Sequence, residues 1–213
     1  MTDQRSPLDP VSAAIVDSGL VAILRAPTSD GFAAVADVLV AAGITALEVT
    51  LTSQGAIEAI AGLRRQLPDS VVIGAGTILT SDDAKAAVDA GAAFLVSPVG
   101  GTYGELGVPH YPGAFTPSEV YAAHAAGAPL VKLFPAGGLG PGYLKDLAGP
   151  LPQVRILPTG GIGLDDISKW IAAGAVGVGL GSPLIGDAAT GGSLTALATR
   201  ARHAADAVAF ARS

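Results

Sequence analysis

The stretch Ala126-Gly127-Ala128-Pro129-Leu130-Val131-Lys132-Leu133-Phe134-Pro135 contains the pattern that decides the fold, because a helical segment ends there in Ala-Gly and a short apolar strand follows. Glycine just past a helix end is the residue expected in the left-handed conformation, so Ala-Gly predicts a helix-to-strand turn. The same pattern occurs at Ala42-Gly43, Ala90-Gly91 and Ala173-Gly174. The copies predict a chain in which helices and strands alternate.

Eight apolar strand candidates fit this alternation. They cover residues 20–25, 47–49, 71–74, 94–96, 108–111, 130–132, 154–157 and 176–178. Segments with helical spacing of apolar residues cover residues 10–18, 30–42, 54–67, 81–90, 117–126, 164–173 and 193–212. Strands that are almost continuously apolar and alternate with helices predict a parallel sheet covered by helices.

Eight strand–helix units favour an α/β fold of the (β/α)₈ TIM-barrel type over an open doubly wound sheet. We expect residues 1–213 to form a single barrel domain, with a leading N-terminal helix at residues 10–18 that closes the bottom of the barrel. The fourth crossover, residues 99–109, is too short and glycine-rich for a full helix, so a single turn or a loop is predicted there.

The composition restricts the partners and the compartment. A net charge of −6 without Lys/Arg-rich runs argues against nucleic acid or an anionic membrane as a partner and favours a small-molecule substrate. The chain has no cysteine, and its N-terminus lacks the apolar core of a signal peptide, which together favour the cytoplasm. Because His110, His124 and His203 share no metal-ligand spacing, no metal site is predicted. No cofactor is expected either.

Lys132 is the most informative residue of the chain, because it lies inside an apolar strand candidate. The other lysines, Lys85, Lys145 and Lys169, lie in helical segments near acidic residues. An isolated charge is costly to bury, so a desolvated lysine tends to lose its proton, and the neutral amine is a nucleophile that forms Schiff bases with carbonyl substrates. The alternative is an edge strand on which Lys132 points to water.

Glu48 lies on the second predicted strand and Lys132 on the sixth, which stand opposite each other in an eight-stranded barrel. The interior of such a barrel is only wide enough for side chains to fill it, so two long inward side chains are expected to meet near the axis. A carboxylate beside the lysine supplies the proton transfers that a Schiff-base mechanism requires. The alternative is a buried ion pair with a purely structural role.

Glycine-rich sequences follow three of the predicted strands. They are Gly74-Ala75-Gly76-Thr77 after the third, Thr159-Gly160-Gly161-Ile162-Gly163 after the seventh and Gly179-Leu180-Gly181-Ser182 after the eighth. Glycine lets backbone N–H groups approach an anion closely, and the loops after strands 7 and 8 commonly bind phosphate in TIM barrels. This pair of loops therefore predicts a phosphate site, with tight turns as the alternative role of the glycines.

Arg25 ends the first predicted strand, where its guanidinium can clamp a carboxylate or a phosphate through two hydrogen bonds. The alternative is a surface ion pair with Asp30. Thr77 can offer its hydroxyl and its N–H to a carboxylate, or it can cap the helix that begins near Ser81.

Taken together, the motifs closely resemble the 2-keto-3-deoxy-6-phosphogluconate (KDPG) / 4-hydroxy-2-oxoglutarate aldolase family. They are Leu47-Glu48-Val49-Thr50-Leu51, Gly74-Ala75-Gly76-Thr77, Ser97-Pro98, Val131-Lys132-Leu133-Phe134-Pro135, Pro158-Thr159-Gly160-Gly161 and Gly179-Leu180-Gly181-Ser182. They occur in the order found in the family. The resemblance implies a metal-independent class I aldolase on a (β/α)₈ barrel that is usually a homotrimer.

The resemblance also implies roles for individual residues. Lys132 matches the Schiff-base lysine of the family, and Glu48 matches its general acid/base. Three further positions match residues of the pyruvate pocket: Thr77 at the carboxylate, and Pro98 and Phe134 in the walls. Gly160, Gly161 and Ser182 match the phosphate site. The adjoining Thr159 and Gly181, in the same two glycine-rich loops, are expected to be substrate-binding residues.

The sequence departs from the family pattern in ways that concern the substrate. Members acting on the phosphogluconate compound commonly carry arginine soon after the glutamate, where this chain has Leu51-Thr52-Ser53. Ile23-Leu24-Arg25 and Gly140-Pro141-Gly142-Tyr143 are more similar to the branch acting on the phosphogalactonate epimer.

The hypothesis is a lyase that cleaves a 2-keto-3-deoxy-6-phospho sugar acid, of phosphogluconate or phosphogalactonate type, to pyruvate and glyceraldehyde 3-phosphate. One alternative is an aldolase for unphosphorylated 4-hydroxy-2-oxo acids such as 4-hydroxy-2-oxoglutarate. The other is a barrel that binds a sugar phosphate without catalysis.

Overall fold

A computed structural model describes residues 6–101 and 103–213. Its strands are β1 (Leu20–Leu24), β2 (Ala46–Thr50), β3 (Val72–Gly76), β4 (Phe94–Val96), β5 (His110–Tyr111), β6 (Gly113–Ala114), β7 (Val131–Leu133), β8 (Ile156–Pro158) and β9 (Val178–Leu180). Its α-helices are α1 (Pro10–Ser18), α2 (Phe32–Ala41), α3 (Ala56–Gln66), α4 (Ser81–Asp89), α5 (Pro117–Ala125), α6 (Gly140–Ala148), α7 (Ile167–Ala172), α8 (Ser182–Ile185) and α9 (Leu194–Arg212). Short 3₁₀ helices lie at Gly104–Leu106, Leu164–Asp166 and Ala188–Thr190.

The strands pair in parallel throughout, which confirms the predicted parallel sheet. One sheet has the order β5-β4-β3-β2-β1-β9 and the other the order β6-β7-β8. Backbone hydrogen bonds continue between them, from the Val176 N–H to the Ile156 carbonyl at 3.1 Å, and a bridge pairs Thr159 with Gly179. The result is an α/β fold with a curled parallel sheet.

The four predicted Ala-Gly turns are confirmed. Gly43, Gly91, Gly127 and Gly174 all have φ between 86° and 105°, the left-handed region that side chains with a Cβ rarely adopt. Helices α4 and α5 begin with capping boxes at Thr80 and Thr116. No helix within the described ranges combines the length and the apolar content needed to cross a membrane.

Two apolar clusters lie on the two faces of the strands. The larger one packs the strands against the helices, with Leu24, Leu47 and Ile73 among its fully buried members. The smaller one consists of Ile15, Val21, Ala46, Phe94, Val96, Tyr111, Leu130 and Leu157. Residues two apart on a strand share a face, so this inner cluster lies directly below Glu48 and Lys132. Helix α1 contributes Ile15 to it and packs against β1, β2 and β3.

Several predicted boundaries were wrong. Of the fifth predicted strand, residues 108–111, only His110–Tyr111 forms a strand, β5, and the unpredicted β6 follows after Pro112, which has no N–H to continue a ladder. Strand β9 begins at Val178 rather than Val176, and β3 extends to Gly76, so Gly74-Ala75-Gly76 ends a strand instead of following one. Helices α6 and α8 were not predicted. The start of α6 in Gly140-Pro141-Gly142 has the composition of a turn, although proline is acceptable in a first helical turn.

Among the described residues of the fourth crossover, the 3₁₀ turn at Gly104–Leu106 is the only helical element, as expected from the length and glycine content of this segment. Thr102 within that crossover and residues 1–5 of the N-terminal segment lie outside the described residues.

Candidate active site

A pocket of about 190 Å³ opens at the carboxyl ends of the strands. Its lining consists of Ile23, Arg25, Glu48, Lys132, Phe134, Thr159, Gly160, Gly161, Ile162, Gly179, Gly181, Ser182 and Pro183. The structure thus brings together all of the predicted site residues except Thr77 and Pro98. These residues come from both sheets and are as far apart in the chain as Arg25 and Ser182, which are 157 positions apart.

A larger pocket of about 460 Å³ lies at the amino ends of β7 and β8, between His124, Pro129 and Arg155. Size alone does not identify the site. In parallel α/β barrels the carboxyl ends of the strands carry the active site, and only the smaller pocket contains the buried lysine and the buried glutamate.

Lys132 lies in the middle of β7, between β6 and β8, and only 4% of its surface is exposed. Its N–H donates to the Pro112 carbonyl at 3.0 Å, and its Cα is paired with those of Gly113 and Leu157. The edge-strand alternative was therefore wrong. The side-chain nitrogen Nζ lies 4.9 Å from the centre of the Phe134 ring, within the range of a cation–π contact.

Glu48 lies in β2 with 3% of its surface exposed. Burial raises the pKa of its carboxyl group above the ordinary value, because desolvation penalises the charged form. The positive charges of Lys132 and Arg25 lower that pKa but do not cancel the effect of burial. The ion pairs found among residues 6–101 and 103–213 do not include one between Glu48 and Lys132, which argues against a purely structural ion pair.

One oxygen of this carboxylate, Oε1, is buried and has no hydrogen-bond partner among the residues that the structure describes. Buried polar atoms in native proteins are nearly always hydrogen-bonded, so an unpartnered carboxylate oxygen in a pocket indicates a position where substrate or water binds.

Arg25 and Thr77 are joined directly at the rim, where the exposed guanidinium Nη2 donates to the Thr77 hydroxyl at 3.1 Å. The alternative partner Asp30 instead accepts from the Thr28 hydroxyl at 2.8 Å. Thr77 has a φ of 61°, which is unusual for a β-branched residue and is typical of functional sites. Because Thr80 caps α4, helix capping is not the role of Thr77.

Pro98 was expected in the pocket wall, but it is absent from the lining. Its backbone instead packs against Gly113, where an added Cβ would overlap the Pro98 carbonyl group. The neighbouring Ser97 hydroxyl lies 2.8 Å from His110 Nε2, and burial lowers the pKa of His110 to about 4. These contacts join β4 to β5 rather than forming the pocket.

The opposite rim consists of backbone in unusual conformations. Gly160 and Gly161 have φ values of 85° and 75°, and the Gly160 carbonyl accepts from the Gly137 N–H at 2.8 Å. A Cβ at Gly160 would lie 2.8 Å from the Phe134 ring. The loop after β8 is therefore packed against the segment after β7 that carries Phe134.

Gly181 and Ser182 form the second part of this rim, at the start of α8. Arg200 of α9 donates from Nε to the Leu184 carbonyl at 2.7 Å and from Nη2 to the Ile185 carbonyl at 2.8 Å. These bonds fix the end of α8, and with it the position of Ser182.

Sequence reasoning missed four lining residues. Ile23 shares a strand face with Arg25, two positions away, so the predicted role of Arg25 could have identified it. Ile162 and Pro183 follow the two predicted loops without a chemical signal of their own. Gly179 has a cross-strand role, because a Cβ there would lie 2.5 Å from the Thr159 hydroxyl.

Comparison with known proteins agrees with this geometry. A family model described as "Aldolase: KDPG and KHG aldolase" matches residues 11–194. The 2-dehydro-3-deoxy-6-phosphogalactonate aldolase of Escherichia coli K12 is 34% identical over 173 residues, which cover 78% of this chain and 83% of that protein. A probable enzyme of the same name from Rhizobium meliloti is 33% identical over 210 residues, 96% of this chain and 97% of its own.

Among solved structures, the KDPG aldolase of Legionella pneumophila superimposes with a TM-score of 0.83 at 29% identity, covering 91% of this chain and 97% of that one. In that structure pyruvate is captured at low pH as a covalent carbinolamine intermediate.

Proposed function

Because this chain belongs to the KDPG and KHG aldolase family, we propose that it is a class I aldolase that cleaves a 2-keto-3-deoxy-6-phospho sugar acid to pyruvate and glyceraldehyde 3-phosphate. The observation that carries the proposal is a lysine, Lys132, buried in the same pocket as a carboxylate, Glu48, whose Oε1 has no partner. Burying a lysine in this way costs stability, so its presence in the pocket points to a functional role.

The reaction begins when the neutral amine of Lys132 attacks the C2 keto group of the substrate. The carbinolamine loses water and becomes a protonated imine, which withdraws electrons from the C3–C4 bond. The Phe134 ring, 4.9 Å from Nζ, stabilises the positive charge of this imine. The protonated imine acts as the electron sink, so the proposed reaction needs neither a metal nor a cofactor.

Glu48 then removes the proton of the C4 hydroxyl, directly or through a water molecule, and the C3–C4 bond breaks. The aldehyde leaves, and the electron pair of the broken bond forms an enamine. Protonation at C3 gives the imine of pyruvate, which water hydrolyses to free pyruvate and Lys132. Burial raises the pKa of Glu48 toward the working pH, where a group can both accept and return a proton.

The two ends of the substrate bind at opposite rims. Arg25, held by Thr77, binds the carboxylate with its guanidinium, while the N–H groups of Gly160 and Gly161 and the Ser182 hydroxyl bind the phosphate. Thr159, Phe134 and Gly181 line the space between. The pocket has a cationic rim and a neutral, glycine-rich rim, which fits a substrate with two anionic ends of different chemistry.

A closed (β/α)₈ barrel formed by residues 1–213 as one domain is part of the proposal. It is supported by the hydrogen bond between Val176 and Ile156 and by the Thr159–Gly179 bridge, which join the ends of the two sheets. We also propose a homotrimer that works in the cytoplasm. The exposed apolar side chains of Val99, Phe115 and Tyr121 supply surface for such an assembly.

A comparison of cleavage rates tests which substrate the enzyme prefers. Pyruvate release would be measured with the phosphogluconate and phosphogalactonate compounds and with 4-hydroxy-2-oxoglutarate. We expect a higher kcat/KM for at least one phosphorylated compound. Faster cleavage of 4-hydroxy-2-oxoglutarate would make the enzyme an aldolase for unphosphorylated acids. If none of the three compounds is cleaved, the alternative of a barrel that binds a sugar phosphate without catalysis would be favoured.

A further inference from the structure

Gly76, the last residue of β3, lies directly against the carboxylate of Glu48. An added Cβ at Gly76 would overlap Oε1 of Glu48 and lie 2.5 Å from its Cδ and 2.7 Å from its Cγ. Real Cβ atoms essentially never approach other atoms so closely. The Glu48 side chain therefore occupies the volume that any other residue at position 76 would fill.

The backbone does not explain why glycine is present at this position. Gly76 has no positive φ, in contrast to Gly160 and Gly161, and it pairs with Thr50 in the regular parallel ladder between β2 and β3. Any residue can adopt such an extended conformation, and glycine inside a strand is normally unfavourable. The close approach of Glu48 is the feature that requires a missing side chain here.

The same oxygen, Oε1, is the buried atom for which the described part of the chain supplies no hydrogen-bond partner. A carboxylate is usually oriented by the donors around it, but at this atom no donor is available. The position of Oε1 is instead set by packing against the Gly76 backbone, which leaves its lone pairs free for a proton from the substrate or from water.

We propose that Gly76 is a positioning residue for the cleavage step, because its missing side chain forms a slot that seats the Glu48 carboxylate and keeps Oε1 free of hydrogen bonds. The inference rests on the proposed aldolase function. A methyl group in the slot displaces the carboxylate from the C4 hydroxyl, and a misplacement of about 1 Å costs on the order of 10²-fold in rate. Imine formation at Lys132 does not depend on the slot.

The test is a double-mutant cycle between position 76 and position 48. Gly76→Ala is expected to lower kcat about 10- to 100-fold, while the rate of borohydride trapping with pyruvate stays near that of the wild type. In the Glu48→Gln background, where a side chain of equal size has no basic oxygen, Gly76→Ala is expected to cause little further loss of kcat.

The Glu48→Asp background gives the decisive comparison, because aspartate is one methylene shorter and draws the carboxylate out of the slot. We expect Gly76→Ala to change kcat less than about threefold in this background. This comparison also works if the single Gly76→Ala variant does not fold, since the shorter side chain removes the overlap. Thermal unfolding of every variant identifies losses that come from stability.

Equal losses from Gly76→Ala in the wild-type, Glu48→Asp and Glu48→Gln backgrounds would overturn the inference and make Gly76 a structural residue. A wild-type protein that forms no adduct with pyruvate would instead contradict the proposed function itself. The two failures are therefore distinguishable.

Discussion

The strand-borne centre, Glu48 and Lys132, and the loop-borne rim, Gly160, Gly161 and Ser182, line one pocket but are built differently. The centre consists of side chains that are 3% and 4% exposed and lie within the parallel ladders of β2 and β7. The rim consists of backbone, and its two adjacent glycines have positive φ. Changes at the centre should therefore affect every substrate, whereas changes at the rim should distinguish substrates by their phosphate.

The largest effect is expected for Lys132→Arg. Arginine keeps the positive charge but is not a usable nucleophile near neutral pH, so turnover should fall to the background of the assay for all substrates. Lys145→Arg, on the exposed surface of α6, is the matched control and should retain wild-type activity. Measurable turnover by a folded Lys132→Arg variant would assign the nucleophile elsewhere.

Glu48→Gln should lower kcat by about 10²–10⁴, the usual range for loss of a general acid/base. The adduct with pyruvate should still form, although more slowly, because Lys132 is unchanged. The control is Glu58→Gln on the exposed surface of α3. Near-normal turnover in Glu48→Gln would reassign this carboxylate to a structural role.

The rim should respond selectively to Gly161→Ala. Gly161 has a φ of 75°, and a Cβ would lie 3.3 Å from the Gly137 Cα, so alanine should displace the loop. We expect kcat/KM for phosphorylated substrates to fall roughly 10- to 100-fold, with little change in trapping by pyruvate. Gly163→Ala is the control, because that residue has an ordinary φ of −78° and lies outside the pocket lining. Equal losses on phosphorylated and unphosphorylated substrates would show that this loop does not bind phosphate.

The smallest effect is expected in the pH profile of Arg25 variants. The positive charge of Arg25 lowers the pKa of Glu48, so Arg25→Gln should raise that pKa further. Glu48 then becomes protonated at a higher pH, and the acidic limb of kcat/KM, which reports the free enzyme, should move to higher pH. Arg25→Lys keeps the charge and should leave the limb near its wild-type position, even if KM rises. An unmoved limb in Arg25→Gln would show that Glu48 does not control it.

The two regions also differ in how far the sequence could locate them. Lys132 was predictable because a single polar residue interrupts an apolar run, and the Ala-Gly turns were predictable because each requires a left-handed residue. The rim glycines could be named, but their packing against Phe134 and Gly137 depends on how the loops after β7 and β8 meet, which no local pattern encodes.

The other differences between the sequence-based predictions and the structure also arise from features that a local sequence pattern does not encode. Thr77 was expected to face the substrate directly, whereas its contact with Arg25 depends on a backbone conformation that its side chain does not favour. The position of Pro98 outside the pocket and the packing of Gly76 against Glu48 both depend on contacts between neighbouring strands. Helix α6 was missed because Gly-Pro-Gly has the composition of a turn even where a helix begins.

The role of Lys132 as the nucleophile is tested by borohydride reduction in the presence of pyruvate, followed by mass spectrometry of the digested protein. Reduction converts the imine to a stable secondary amine, so the adduct marks the nucleophile. We expect one adduct, on the peptide that contains Lys132, in the wild type and in Glu48→Gln, and none in Lys132→Arg. An adduct on Lys85, Lys145 or Lys169 instead, or no adduct in a protein that cleaves its substrate, would contradict this role.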